Sequence, residues 1–259
     1  MKDNNEYPQN FSSDVDLFSS EKGIHAIDSP VKMKILSMLN KHELSFEEIV
    51  SSSGKAKSTV SVHLRGLSDA GIIGAKSDPD DSRKKIFFTT SLLLGGASKG
   101  ERLRFDIDEY IPEYIPGNHA STDFYRFIMS TTRVTLLNEG ITIDPLLERS
   151  GVRVGKAISP VLACPDITGF INNMKRFWDD HNLGHIEMAD HDPLTITIYN
   201  CFECVNLPVI GRPVCAFESG VLSAVFSEYF GEPRKAVETG CYAMGDSFCR
   251  FIIKGPEAK

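Results

Sequence analysis

A succession of short capped helices followed by a basic hairpin, within residues 29–90, constrains the fold of this chain more than any other feature. Ser29 and Pro30 supply an N-cap and a proline at the first helical position, and apolar residues then recur at helical spacing. A second helix is predicted to begin at Ser45, because Glu48 three residues later completes a capping box. The pattern therefore predicts compact helices with well-defined starts.

A third helix is predicted from about Ser58 to about Ala70, and it has two distinct faces. Val60, Leu64 and Leu67 form one apolar stripe, whereas short polar and basic residues point the other way. After this helix, an apolar pair, an Asp- and Pro-containing turn and the segment RKKIFFTT predict a β-hairpin with a basic returning strand.

Charge is concentrated in the same segment. The whole chain has 28 Lys and Arg against 35 Asp and Glu, a net charge of −7, yet residues 29–90 have a net charge of +3. No acidic residue lies between positions 49 and 68, so phosphates would meet uncompensated positive charge there. The overall charge excludes a wholly basic nucleic-acid binder, but it does not exclude a basic module between acidic flanks.

This order of helices, the sequence STVSVHLRGL and the hairpin resemble the winged helix-turn-helix of ArsR-like archaeal and bacterial regulators. The resemblance implies that the third helix lies in the major groove, that the hairpin contacts the DNA backbone or minor groove, and that the protein works as a homodimer. Val62 departs from the polar or basic residue usual at its position, and it offers only apolar contact, for example to a thymine methyl. His63 flanks the apolar stripe and is predicted to be half-buried support. The predicted DNA-binding residues are Lys55, Lys57, Ser58, Thr59, Ser61, Val62, Arg65, Arg83, Lys84 and Lys85. The competing interpretation of these charges is a solvated helix face.

The second half of the chain predicts helices packed on an antiparallel sheet, which makes the protein α+β. Helical spacing covers 121–150, alternation predicts a strand at Leu194–Tyr199, and a helix is predicted from Gly220 to Phe230. Gly151 and Gly155 would allow close packing of the helix that opens at the Asp-Pro pair before them.

Composition also suggests where the modules end. The glycine-rich stretch at 95–100 lacks the Lys-Ser/Thr pair of a phosphate loop and is interpreted as part of a linker. The predicted organisation is an acidic N-terminal extension at 1–28, a winged helix-turn-helix at 29–94, a linker at 95–118 and a sensor domain at 119–255.

All six cysteines lie beyond residue 160. Cys201 and Cys204 form a Cys-x-x-Cys, a spacing used both for redox exchange and for two ligands of zinc. Cys241 and Cys249 lie symmetrically about Gly245, so a three-residue hairpin loop would place them opposite each other within reach of a disulfide, whereas a two-residue turn would not. The sixth, at position 164, is predicted to be a small buried hydrophobe.

The ending ETGCYAMGDSFCRF closely resembles the terminal motif of the 4-vinyl reductase domain, a small-molecule or redox sensor module. With a winged helix before it and a set of cysteines, the chain resembles the methanogen-specific redox-responsive transcription regulators. That resemblance implies promoter binding, as a repressor, under the control of thiol state through Cys201, Cys204, Cys215, Cys241 and Cys249. No cofactor is expected; zinc or an iron–sulfur cluster is the alternative, held by Cys201 and Cys204 with Cys215, Cys241 or Cys249.

Two other functions are weighed against this one. A regulator that senses a metal or a small ligand would keep the DNA-binding half, whereas a tetrapyrrole-type reductase would need a reductant site, and the sequence has no dinucleotide fingerprint. His181, His185 and His191 are predicted to have solvated or capping roles. We therefore expect a cytoplasmic regulator, not an enzyme, whose partners are promoter DNA, a second copy of the chain and a thiol-redox protein, with no membrane association.

Overall fold

The computed structural model describes residues 13–98, 110 and 120–256. The chain divides into two compact units, an N-terminal unit of residues 1–101 with 141–145 and a C-terminal unit of residues 102–140 with 146–259. Most of the predicted linker and the first twelve residues of the predicted extension lie outside the described residues.

The described part of the N-terminal unit combines helices with two small antiparallel sheets, whose strand orders are β2-β1-β6-β7 and β3-β5-β4. Its elements are β1 (Val15–Ser20), β2 (Gly23–Ile27), α1 (Pro30–Leu39), β3 (Leu44–Ser45), α2 (Phe46–Ser53), α3 (Lys57–Asp69), β4 (Ile73–Ser77), β5 (Lys85–Thr89), β6 (Leu92–Ala97) and β7 (Ile141–Thr142).

The helices of this unit begin where their caps predict. The Ser29 hydroxyl accepts a hydrogen bond from the backbone N–H of Lys32, and the capping box at Ser45 and Glu48 is complete in both directions. Val60, Leu64 and Leu67 of α3 are all buried, which confirms the predicted stripe.

Strands lie on both sides of the predicted winged-helix segment. Phe18 of β1 is fully buried in the core of the unit, and β1 pairs with β6, which contains Gly95 and Ala97. A Cβ at Gly95 would overlap the carbonyl oxygen of Thr142 in β7, so this glycine permits close approach of two strands. The domain limits themselves stay a prediction.

The described part of the C-terminal unit is an antiparallel sheet, ordered β10-β11-β9-β8, with helices packed against it. This arrangement confirms the predicted α+β fold. Its elements are α4 (Ala120–Asn138), α5 (Asp144–Leu162, whose first two residues belong to the N-terminal unit), α6 (Ile167–Asp180), β8 (His185–His191), β9 (Leu194–Tyr199), α7 (Ala216–Phe230), β10 (Lys235–Gly240), a 3-10 turn (Tyr242–Met244) and β11 (Cys249–Lys254).

Helix α7 is the central helix of this unit, and it begins four residues before the predicted Gly220. Every residue from Gly220 to Phe226 is buried, so the helix has no solvated face and gives no amphipathic signal from which its start could be read. Glycines bring α5 against it, because a Cβ at Gly151 or Gly220 would overlap a backbone carbonyl of the other helix. This confirms the predicted close packing of α5.

Among the described residues, no single helix is long and apolar enough to cross a membrane. Helices α5 and α6 meet the length and composition criteria only as a pair, and that pair is bent by 115°.

Candidate functional site

The five predicted redox cysteines converge on one place in the C-terminal unit. Cys201 and Cys204 lie just after β9, Cys215 precedes α7, Cys241 precedes the 3-10 turn, and Cys249 opens β11. All five are buried, with at most 1% of each residue exposed. We call this group the cysteine centre.

The sulfur atoms of the cysteine centre are close to one another but not bonded. The Sγ atoms of Cys204 and Cys249 are 3.1 Å apart, and the Cys215 Sγ lies 3.6 Å from that of Cys249. The Cys215 Sγ is also 3.8 Å from the Sγ atoms of Cys201 and of Cys241. All five cysteines are therefore free thiols in this structure.

The hairpin predicted between Cys241 and Cys249 is wrong. In the sheet, Gly240 pairs with Arg250, and the residues between the strands form a longer connection that contains the 3-10 turn. Asp246 closes this connection by accepting a hydrogen bond from the backbone N–H of Cys241. The shortest sulfur contact of Cys249 is accordingly with Cys204, a residue distant in sequence.

The prediction for Cys164 is also wrong. This residue is half-buried, and its thiol donates a hydrogen bond to Asp166, the N-cap of α6, at 3.5 Å. It lies outside the cysteine centre and provides a control position for experiments on the other five.

The donor atoms of the centre fit a single metal ion. Four thiolates about 2.3 Å from a tetrahedral zinc stand roughly 3.8 Å apart, and three of the four sulfur separations given above are 3.6–3.8 Å. Two sets of four donors each lie within 4.8 Å of one another: Cys201, Cys204, Cys215 and Cys249, and Cys215, Glu238, Cys241 and Cys249. An iron–sulfur cluster bonds its thiolates to separate iron atoms, which requires wider spacing, so the geometry favours one ion.

The thiols of the centre share protons unequally. Hydrogen bonds from neighbouring thiols, that of Cys204 first, lower the pKa of Cys201 and of Cys241. Burial raises the pKa of Cys215, and hydrogen bonds to Cys201 raise the pKa values of Cys204 and Cys249. Negative charge is thus directed to one or two sulfurs, which is the form of cysteine that binds metals and attacks oxidants.

Two carboxyl groups that the sequence analysis missed fix the start of α7 beside the centre. Glu203, inside the Cys-x-x-Cys, accepts hydrogen bonds from the backbone N–H groups of Phe217 and Glu218, and Glu238 accepts one from that of Cys215. Burial raises the pKa of Glu203 to about 8, although its ion pair with the buried Arg133 opposes this. The signal available in the sequence was position alone, since Glu203 lies between two candidate cysteines.

Glu238 has a second feature of interest. Its Oε1 atom is buried without a hydrogen-bond partner, while burial and the nearby Cys241 raise its pKa well above the ordinary value. A buried oxygen without a partner beside three sulfurs is suited to become a metal ligand.

The predicted DNA-binding residues of the N-terminal unit lie on and before α3. Val62 has 66% of its surface exposed and thus points away from the core, while His63 is half-buried as predicted. Thr59 is half-buried, and the remaining residues of this group are exposed: Lys55, Lys57, Ser58, Ser61 and Arg65.

The basic residues of the predicted wing are exposed at the turn between β4 and β5. Arg83 donates two hydrogen bonds to Asp81, and the Lys84 ammonium lies 4.0 Å from the same carboxylate, whereas Lys85 opens β5. Such exposed ion pairs are weak, so these cations can exchange Asp81 for a phosphate.

The three histidines do not form a ligand set. His181 is the C-cap of α6, His185 lies 3.1 Å from Asp179, and His191 is exposed at the end of β8. These positions agree with the solvated and capping roles predicted for them.

Two family models match separate parts of the chain. Residues 29–74 match the model described as bacterial regulatory protein, arsR family, and residues 194–255 match the model of the 4-vinyl reductase domain. The chain therefore combines an ArsR-type helix-turn-helix, which points to a DNA-binding regulator and not to an enzyme, with a 4-vinyl reductase domain that contains the cysteine centre.

Similar proteins occur in Methanocaldococcus jannaschii. One uncharacterized protein is 36% identical over 81 residues, which are 31% of this chain and 50% of that protein. A second is 21% identical over 156 residues, 60% of this chain and 89% of that protein. The chain thus spans about half the length of the first relative.

Two solved structures overlap with the chain. A vinyl-4-reductase family protein from Methanocaldococcus jannaschii has 20% identity and a TM-score of 0.38, covering 58% of this chain and 87% of its own. The phenol-responsive sensory domain of the transcription activator PoxR, solved with phenol, has 14% identity and a TM-score of 0.36, covering 55% and 76%.

Proposed function

We propose that the protein is a homodimeric transcription regulator of the reducing cytoplasm whose promoter binding is controlled by the state of the cysteine centre. The observation that carries this proposal is the convergence of five cysteines, spread over residues 201–249, into one buried cluster. The exposed basic side of α3 belongs to the other compact unit. Input and output are thus assigned to different units of one chain.

In the proposed resting state the thiols are reduced and two copies of α3 contact successive half-sites as a repressor. The basic residues of α3 and of the wing bind phosphates, and Ser58, Ser61, Val62 and Arg65 lie against base edges. A metal ion, where one is bound, would lock the reduced arrangement by holding four of the donors.

Oxidation would change the centre by joining two sulfurs. Cys204 and Cys249 are the closest pair; their thiols would lose two protons and two electrons to hydrogen peroxide, which is reduced to two waters as the S–S bond forms. The sulfurs must move from 3.1 Å to about 2.05 Å, which repacks the start of α7 and of β11. A coupling of about 1–3 kcal/mol to DNA binding changes affinity roughly 5–150-fold.

An electrophoretic mobility shift on the protein's own promoter tests this proposal. We expect anaerobic, reduced protein to bind and peroxide-treated protein to bind at least about fivefold more weakly, with binding restored by dithiothreitol. Cys204→Ala should abolish the response, and Cys164→Ala, outside the centre, should leave it intact. Equal affinity of the reduced and oxidised wild-type protein would refute redox control.

A metal sensor is the second candidate, and the sulfur spacing near 3.8 Å favours it. Elemental analysis of protein purified without oxygen distinguishes the two functions when combined with the shift assay. Stoichiometric zinc, with DNA binding that depends on zinc but not on peroxide, would assign the centre to metal sensing. Metal-free protein that responds to peroxide would assign it to thiol chemistry alone.

A further inference from the structure

The C-terminal unit contains an apolar cavity that the proposed DNA-binding and cysteine chemistry does not use. It has a volume of about 340 Å³ and lies between α4, α5, α6 and α7, which is within the size range of small-molecule sites. Its wall is almost wholly carbon and is rich in rings, contributed by Tyr125, Phe177, Trp178, Phe202 and Phe217. Protein interiors are close-packed, so an aromatic-lined space of this size is an unusual feature.

The one acidic group in the described lining of the cavity is held in an uncharged form. Glu218 is 1% exposed, and its Oε1 atom accepts a hydrogen bond from the indole N–H of Trp178 at 2.8 Å. Burial raises the pKa of Glu218 well above its ordinary value. The inner wall therefore offers no carboxylate to a cationic ligand, and a charged molecule would lose its hydration without compensation.

We propose that this cavity is a binding site for a small, uncharged aromatic molecule. Rings on several sides allow edge-to-face and offset contacts with a planar guest, and dry apolar cavities are known to take up such molecules. The wall supplies area and shape but few polar contacts, so size and planarity determine which molecules bind.

The cavity also has physical contacts with the cysteine centre. Phe202 directly follows Cys201, and its ring meets that of Phe217 edge-on with centroids 6.0 Å apart. The backbone N–H of Glu218 donates to Glu203 of the Cys-x-x-Cys at 2.9 Å. An occupant that moves either phenyl ring would therefore move the segments that bear the sulfurs. This link, unlike binding itself, rests on the proposed function.

The chain contains its own reporter for the binding step, because Trp178 is the single tryptophan and it lines the cavity. The probe is N-phenyl-1-naphthylamine, an uncharged aromatic amine that accepts excitation energy from tryptophan. We expect saturable energy transfer from Trp178 in the full-length reduced protein, with one probe bound per chain. The measurement contains no DNA, so its failure would leave the proposed regulator untouched.

Two substitutions on α5 separate the cavity from the protein surface. Val154 lines the cavity and Val161 does not, and both are exposed. We expect Val154→Phe to weaken probe binding at least tenfold and Val161→Phe to leave it unchanged. Ile158→Phe fills the same cavity from a second position, and near-ultraviolet circular dichroism verifies that each variant is folded. Absence of saturable transfer in the wild type, or equal transfer in folded Val154→Phe and Ile158→Phe variants, would overturn the proposal.

Discussion

At the scale of single residues, burial changes the chemistry of Glu218 more than any bonded partner does. Desolvation is the largest cause of its raised pKa, and the Trp178 N–H, which stabilises the carboxylate, opposes it only in part. The folded chain thus holds a proton that the unfolded chain releases above its ordinary pKa of 4.5. Stability must then depend on pH.

The sign of this dependence follows from the direction of the shift. The contribution of a neutral Glu218 is fully present below pH 4.5 and is lost as the pH rises toward the raised pKa. Glu218→Gln keeps an acceptor oxygen for Trp178 but cannot ionise. We expect this variant to remove a loss of up to about 1.4 kcal/mol per pH unit above pH 4.5, measured by urea unfolding at several pH values.

The control for this prediction lies on the same helix. Glu228 of α7 is exposed, so Glu228→Gln should retain the wild-type pH dependence. Parallel pH profiles for wild type and Glu218→Gln would contradict the assignment of a neutral carboxyl group at position 218.

At the scale of elements, the packing of α5 on α7 depends on glycine. A Cβ at Gly220 would overlap the carbonyl oxygen of Glu148, which is backbone and cannot rotate away. We expect Gly220→Ala to lower the free energy of unfolding by about 1–3 kcal/mol or more, measured in urea through Trp178 fluorescence. Gly66→Ala on α3 is the comparison, because its Cβ would meet only the flexible end of Lys32 at 3.5 Å. That substitution should be neutral or stabilising by up to about 1 kcal/mol.

Helix α3 makes a different prediction, which concerns salt. Lys57 is exposed at its first turn, in a stretch without acidic residues. We expect Lys57→Ala to weaken binding to specific and unrelated DNA alike and to reduce the slope of log affinity against log salt by about 1. Arg176→Ala, an exposed cation of α6 in the C-terminal unit, should leave that slope unchanged. A sequence-selective loss at Lys57 would instead indicate a base contact.

The elements also show which predictions a sequence supports. Local signals, such as the Ser45 capping box and the Val60 stripe, located α1, α2 and α3 because each acts within one or two turns. Helix α7 was placed late because it is buried all round and its caps, Glu203 and Glu238, come from distant segments. The sequence named the five cysteines but not their partners. The contact between Cys204 and Cys249 depends on the pairing of β9 with β11, which no local pattern encodes.

At the scale of the whole molecule, two compact units with separate buried cores predict two unfolding events. The N-terminal core consists of aliphatic residues and phenylalanine around α1 and α3, and the tryptophan lies in the C-terminal core. Far-ultraviolet circular dichroism should therefore record both events on heating, whereas Trp178 fluorescence should follow the C-terminal unit alone.

Oxidation should move only one of these two transitions. Closing a sulfur–sulfur bond inside a packed core displaces side chains that are fully buried in the reduced protein. We expect peroxide to lower the midpoint reported by Trp178 on the order of 5 °C, while the other midpoint stays constant. Cys164→Ala should show the same shift as wild type, and Cys204→Ala should show less. A peroxide-induced change in both midpoints would mean that the units unfold as one, and the division of input and output between them would have to be abandoned.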